Sequence, residues 1–367
     1  MPLAPVDNKG TQLFYLDIGA PAGSTNYKTL VLIHGAIFNG AIFQRLNQYA
    51  AANNLRLVYL NQRDVSGSTP FTPEDLAIVK DVKNKEAQDA FLQDRVKEFV
   101  EFMRWFVETE KIPRRNDQEG TGGISLFGWS AGNCFTVPFL GMVETYSPEA
   151  VNVLNDYLRN VIVFDSPYFG FGLPTPTIED MYCPVFDPKL TEAEQNAQFP
   201  AWNASYWDHS PSLLSSFSST SSSSFPTRPE MLSLLAKSPS TKPGHTCTLH
   251  VIPPETLKEV ADFAASERSI LPIAYMNQEV YKKWADKAFL EPPVGWKDVR
   301  FEVVTNGKTM NHCLGANWEL KKHILENEDV RKKVGARDVE FTVLEEYNHY
   351  PHWDHPEAFT KILASKA

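Results

Sequence analysis

Gly128-Trp129-Ser130-Ala131-Gly132 sets a serine between two glycines at the end of the apolar run "GGISLFGWSAGN", residues 122–133. Two structures suit this stretch: a buried strand that ends in an ordinary turn, or a strained turn that lifts a nucleophile out of a sheet. The second is the G-x-S-x-G pattern, which carries chemistry only when a buried strand leads into it and a helix leaves it. Both conditions are met in the sequence, since the residues before Ser130 are apolar and 131–146 suit a helix. Side chains in place of the glycines would collide with neighbouring elements. The helix N-terminus would lie beneath Ser130 and aim the amide of Ala131 at an oxyanion formed there.

A second cluster lies in "NHYPHWDHPEAF", where His349, His352, Asp354 and His355 fall within seven residues. A metal site is one reading of it. The spacing, however, does not put the four on one helical face, and Pro351 and Pro356 oppose a helix, so no metal is expected. Cys134, Cys183, Cys247 and Cys313 are scattered without a C-x-x-C pair. They read as reduced thiols, not as a disulfide scaffold or a zinc ribbon.

The elements that must position these groups are legible as short apolar runs. "TLVLIHG" (29–35), "LRLVYLNQR" (55–63), "GISLFGWS" (123–130), "NVIVFDSP" (160–167), "RFEVVTNG" (300–307) and "VEFTVLEEY" (339–347) are mostly continuous in apolar character. Such runs predict strands buried on both faces, as in a parallel sheet covered by helices. "TQLFYLDIG" (11–19) alternates and suits an antiparallel edge strand. Over 85–110, Phe91, Val96, Phe99, Val100, Met103 and Phe106 recur at helical spacing, with Glu98, Glu101 and Arg104 expected on the outer face. Alternating strands and helices imply an α/β fold with right-handed crossovers.

At 367 residues the chain suffices for one large core or two modest domains, and 43% hydrophobic content fits a well-filled interior. The net charge of −10, without a Lys/Arg cluster, argues against nucleic acid as partner. No apolar stretch is long enough to span a bilayer. The N-terminus "MPLAPVDNKGTQ" lacks the basic and apolar regions of a secretory signal, so a cytoplasmic location is expected. The last residues, Ser365-Lys366-Ala367, resemble a peroxisomal tail without its leucine and are read as a frayed end.

With these motifs the sequence resembles the α/β-hydrolase superfamily, over about residues 11–167 and 296–362. The resemblance implies a mostly parallel central sheet flanked by helices, with Ser130 at the nucleophile elbow. His34-Gly35 after the third strand matches the start of the oxyanion loop. The backbone amide of Ala36 would then pair with that of Ala131, and His34 would brace the loop. "LNQRDVSGST" matches the D-x-R-G-x-G-x-S segment only in part, departing at Asn61 and Asp64, and is assigned to loop packing. The terminal signature puts His349 in the place of the general base, with Asn348 replacing the usual glycine; His352 and His355 take structural or surface positions. The usual acid after the seventh strand is missing, for no Asp or Glu occurs from 303 to 318. Some lactonases and dehalogenases of the superfamily carry it after the sixth strand instead, where this chain has Asp165. The alternative for Asp165 is a turn or helix cap.

The core is thus expected over 1–167 and 296–367, with a mainly helical cap at 168–295. The run "SSFSSTSSSSF" (215–225) within the cap is read as a flexible loop. Trp129, Ile37, Tyr168, Phe169 and Trp202 are the candidate pocket residues. The bland alternative for the cap aromatics, among them Phe171, Tyr206 and Trp207, is that they fill the cap's own core. The resemblance implies cofactor-free hydrolysis of a small hydrophobic ester or lactone through an acyl-enzyme on Ser130. Carbon–carbon bond hydrolysis, lyase or acyl-transfer chemistry, or a ligand-binding protein on the same fold, are the alternatives.

Overall fold

The computed structural model describes residues 2–367. Eight strands, β1 (Leu3–Pro5), β2 (Gln12–Asp17), β3 (Lys28–Ile33), β4 (Leu55–Leu60), β5 (Ile124–Trp129), β6 (Leu158–Phe164), β7 (Arg300–Asn306) and β8 (Val339–Leu344), form one sheet in the order β1-β2-β4-β3-β5-β6-β7-β8. The β1–β2 and β2–β4 pairings are antiparallel and every other pairing is parallel. β1 has only three residues, one of them proline, too few to show an alternation. It covers β2, which is therefore not the edge strand that its pattern suggested.

The continuous apolar runs follow from two buried faces. Leu30, Leu32, Leu57, Tyr59, Phe127, Trp129, Ile162 and Phe164 pack into one hydrophobic cluster. Their neighbours in sequence, Val31, Ile33, Val58, Leu60, Leu126, Val161 and Val163, pack into the other. A side-chain period of two thus divides each strand between two helical layers.

The helix Lys85–Glu110 has the predicted bounds, capped by Asn84 Oδ1, which accepts from the Ala87 amide at 3.2 Å. Its expected outer face needs one correction. Glu98 is buried, and its carboxylate meets Arg95 at 2.9 Å and Arg63 at 3.3 Å. The loop after β4 folds across this helix and brings Arg63 over it, which helical spacing could not reveal. Burial pushes the Glu98 carboxyl up to about 7 against the pull of both arginines.

Residues 165–299, between β6 and β7, contain no strand. The last helix of this segment, Gln278–Leu290, packs on the helix Asn133–Gly141 that follows Ser130. A Cβ on Gly141 would lie 2.2 Å from the Trp284 carbonyl oxygen. That helix therefore joins the layer flanking the sheet, although it falls within the expected cap. The stretch "LKEVADFAASER" (257–268), helical in composition, is not one helix. It breaks at Ala261–Asp262, where Ala261 bridges Phe38 and the Asp262 amide donates to Ile37 O at 2.6 Å.

The serine-rich run departs from the loop expectation. It carries the end of a helix, Pro211–Ser216, and a 3₁₀ turn, Ser222–Ser224, and it buries Phe217 and Phe225. Its hydroxyls serve the local backbone: Ser216 Oγ donates to Leu213 O and Ser219 Oγ to Ser221 O. Nor is the C-terminal end frayed. Ser365 and Lys366 close the helix Pro356–Lys366, Ala367 is buried, and Lys366 Nζ reaches Glu302 at 2.9 Å.

Candidate active site

Ser130 sits where β5 passes into a 3₁₀ turn and then a helix, with φ = +54°, a left-handed value rare for a residue with a side chain. The neighbouring glycines have separate reasons. A Cβ at Gly128 would lie 2.6 Å from the Thr136 side chain, and one at Gly132 would lie 2.9 Å from the backbone oxygens of Ile33 and His34. Gly35, across the turn, has no room either, since its Cβ would come 2.9 Å from that of Ser130. Asn133 ties the turn down by donating to Ser130 O at 3.1 Å and to Phe164 O at 3.0 Å.

Asp165 follows β6, also at positive φ (+48°), and is wholly buried. Its carboxylate takes four hydrogen bonds. Oδ1 accepts from Thr305 Oγ1 and the Asn306 amide, each at 3.1 Å. Oδ2 accepts from Thr309 Oγ1 at 2.6 Å and from His349 Nδ1 at 2.5 Å. The end of β7, which lacks an acid, thus provides hydroxyl and amide donors for the acid on β6. Nδ1 carries the proton in this pairing, so Nε2 is the lone-pair nitrogen of His349; it is buried and meets no partner among the described residues. Trp129 holds the loop by donating from Nε1 to His349 O at 3.1 Å.

The other histidines of the terminal cluster do not converge with His349. His352 is buried among aromatic rings, 4.4 Å from Trp129 and 5.0 Å from Phe43 between centroids, and burial lowers its pKa. Asp354 accepts from Tyr206 and Thr248, and His355 is exposed. Asp165, Cys313 and His349 do put three potential ligand atoms within 4.8 Å of one another. Two of the three are engaged with each other, and burial keeps the Cys313 thiol protonated, a poor donor set for a metal.

Ser130 lines a small cavity of about 30 Å³, together with Ala36 and Ala131. Among the described residues the Ala36 amide donates to no protein group, and Ala131 opens the helical turn, where amides lack intrahelical acceptors. His34 braces the loop after β3: its Nδ1–H donates to Gly35 O at 2.9 Å and its Nε2 accepts from the Gln62 amide at 3.3 Å. Burial pushes its pKa down to about 4, which keeps it neutral.

Of the expected pocket residues, Phe169 and Trp202 line the cavity. Trp129, Ile37 and Tyr168 do not. Trp129 points into the aromatic cluster under the loop, beside Phe38, Phe43 and Tyr350. Ile37 is turned by its φ of +77°, and its backbone is bonded to Ser266 and Asp262. Tyr168 is wholly buried and donates to Glu319. Sequence reading missed Cys183, Phe199, Leu271, Tyr275, Met310 and His312, which complete the wall with Pro167 and Asn203. The signal for Met310 and His312 was present: they follow β7, in the stretch where the expected acid was absent.

Two sets of contacts fasten the segment after β6 to this site. Asp262 accepts from Ser66, and Arg268 meets Asp64 at 2.8 Å, so the partly matching loop after β4 serves as an anchor. The Trp207 amide donates to Lys308 O at 3.0 Å, and His209 Nε2–H donates to Thr309 O at 2.7 Å. The Ala236 amide fixes that tautomer by donating to His209 Nδ1 at 3.1 Å.

No family model matches the chain, and no curated protein sequence does. Solved structures with similar folds are numerous. An esterase from Exiguobacterium antarcticum matches with a TM-score of 0.50 and 12% identity, over 98% of this chain and 96% of that one. A serine hydrolase from Cycloclasticus zankles matches at 0.48 with 11% identity, over 99% and 96%. A bromoperoxidase from Bacillus anthracis matches at 0.47 with 10% identity, over 100% and 99%. Identities this low speak to architecture alone. The strand order, the serine elbow after β5 and the helical segment between β6 and β7 agree with that likeness: the chain has the α/β-hydrolase fold.

Proposed function

We propose that the protein is a serine hydrolase of hydrophobic carboxylic esters or lactones, with Ser130 as nucleophile, His349 as general base and Asp165 as the acid. The observation that carries this reading is the Asp165–His349 pairing at 2.5 Å, which leaves Nε2 free to act as a base, on a loop held by Trp129, the neighbour of Ser130. Ser130 Oγ attacks the ester carbonyl and its proton passes to His349 Nε2. The carbonyl oxygen becomes an oxyanion held by the amides of Ala36 and Ala131. As the tetrahedral intermediate collapses, the imidazolium protonates the departing alkoxide. Water then attacks the acyl-enzyme with the same base, releasing the acid and restoring Ser130. Asp165 fixes the histidine tautomer and stabilises the imidazolium. Its engagement with His349 speaks against a binding-only role, which the missing acid after β7 had favoured.

In this reading the segment after β6 acts as the lid. Its apolar side chains over Ser130, with Phe169, Phe199 and Leu271 among them, exclude water and suit a hydrophobic substrate. A cavity of about 30 Å³ has room for a water-sized group, so substrate entry requires the lid side chains to part. The test is turnover of p-nitrophenyl esters of graded chain length and of aryl lactones, with Ser130→Ala alongside. Turnover in the wild type that is lost in the variant supports the reading. Absence of both turnover and fluorophosphonate labelling at Ser130 overturns it.

A further inference from the structure

Two side chains on the wall of the Ser130 cavity have hydrogen-bonding capacity that no protein group uses. Trp202 Nε1 is buried without a partner. His312 donates from Nε2 to Met181 O at 3.3 Å, which leaves Nδ1 as its lone-pair nitrogen, and no protein donor meets Nδ1. Trp202 is 7% exposed and His312 6%, and of the two free nitrogens the indole Nε1 is the one wholly buried. Their rings meet edge to face at 5.7 Å between centroids, so the donor and the acceptor belong to neighbouring rings of one wall. Of the other polar groups on this wall, Asn203 Oδ1 accepts from Tyr350 at 2.7 Å, burial pushes the Cys183 thiol up to about 12, and the Tyr275 hydroxyl is a second free group. Trp207 Nε1 is also unpartnered, but Trp207 does not line the cavity.

A buried donor left unpaired is costly unless a ligand completes it, and a free acceptor on the neighbouring ring lets one ligand group make two bonds. One small group does so through a single oxygen. A carbonyl only accepts and an ammonium only donates, whereas a hydroxyl accepts from an indole N–H and donates to an imidazole nitrogen. We propose that Trp202 and His312 recognise a substrate hydroxyl, so that the substrate is a hydroxyaryl ester or lactone. The aryl part is indicated by the rings of Phe169, Phe199 and Tyr275 on the same wall. Burial pushes the His312 pKa down to about 4, which keeps Nδ1 an acceptor at neutral pH. The inference rests on the ester chemistry proposed above for the carbonyl at Ser130, while the hydroxyl site itself requires no turnover.

The test separates the two. Ser130→Ala protein is titrated by calorimetry with methyl 3-phenylpropionate and with its ortho-, meta- and para-hydroxy counterparts. At least one hydroxylated isomer is expected to bind about tenfold or more tightly than the plain ester. That advantage shrinks to within about twofold when Trp202→Phe or His312→Leu is added. It returns in part with His312→Asn, which sets an amide near the Nδ1 position. No preference for any isomer, or a preference that survives both substitutions, overturns the proposal. Fluorophosphonate labelling of Ser130 in the wild-type chain reports on the ester reading independently. Labelling without a hydroxyl preference removes only the hydroxyl site; a preference without labelling or turnover keeps that site and removes the ester chemistry.

Discussion

The two sides of Ser130 are built on opposite principles. On the sheet side the side chains that set the geometry are each held by more than one hydrogen bond. Asp165 accepts four hydrogen bonds, Asn133 spans two strand ends, and His34 is held at both ring nitrogens. On the side of the segment after β6 the wall is Phe169, Phe199, Leu271 and Tyr275, and its indole and imidazole groups are only partly engaged. Paired groups resist displacement and hold a geometry, while apolar surfaces and open hydrogen-bonding positions leave room for a ligand to decide. The sheet side is therefore suited to the bond-making step and the other side to the choice of substrate.

That division can be broken by substitution. The largest expected effect is Asp165→Asn, which cannot hold His349 in the required tautomer. It should lower kcat by about 10³–10⁴ on every ester of a panel. A loss confined to some substrates would count against the division. Next is Thr309→Val, which removes one donor to Asp165 Oδ2 and should cost about tenfold in kcat, again uniformly, with a displaced pH profile. On the opposite wall, Phe199→Ala should act unevenly. A chain-length series should show the optimum moving to longer acyl groups, with individual kcat/KM values changing by a few fold in both directions.

The smallest effect concerns the junction of the two sides, where His209 holds Thr309 O. Burial lowers the His209 pKa to about 4 from its ordinary 6.5. Unfolding therefore takes up a proton between those values, and the stability this group contributes is full above about 6.5 and lost as the pH falls through 4. His34 and His312 act with the same sign, each also near 4. Thermal melts of His209→Gln should thus decline less steeply with acidification than those of the wild type. The difference should amount to a few degrees by pH 4.5. Parallel melting curves would show that His209 is not held neutral by the fold.

The sheet side was largely legible from the sequence because its signals are local. β3 to β8 announce themselves as apolar runs, and the Ser130 elbow requires glycines within two residues. Asp165 followed from being the carboxylate at the end of such a run. Its partners were not legible: Thr305, Asn306 and Thr309 are unremarkable polar residues until β7 is laid beside β6. The opposite wall was the least legible part. Cys183, Phe199, Leu271 and His312 lie up to 129 residues apart in a chain with no strand between β6 and β7, and no periodicity marks which face turns toward Ser130. Glu98 was misplaced for the same reason, because a distant loop supplies the arginine that lets it be buried.

Ile37, Ser130 and Asp165 are three side-chain-bearing residues in left-handed backbone, on the connections that follow β3, β5 and β6. Glycine would occupy each of these conformations with less strain. A mutant library sorted only for expression or heat resistance would therefore be drawn toward glycine at the positions the chemistry depends on. Under the proposed mechanism its best-folding members would be inert, so screening this chain for robustness has to be coupled, round by round, to a screen for turnover.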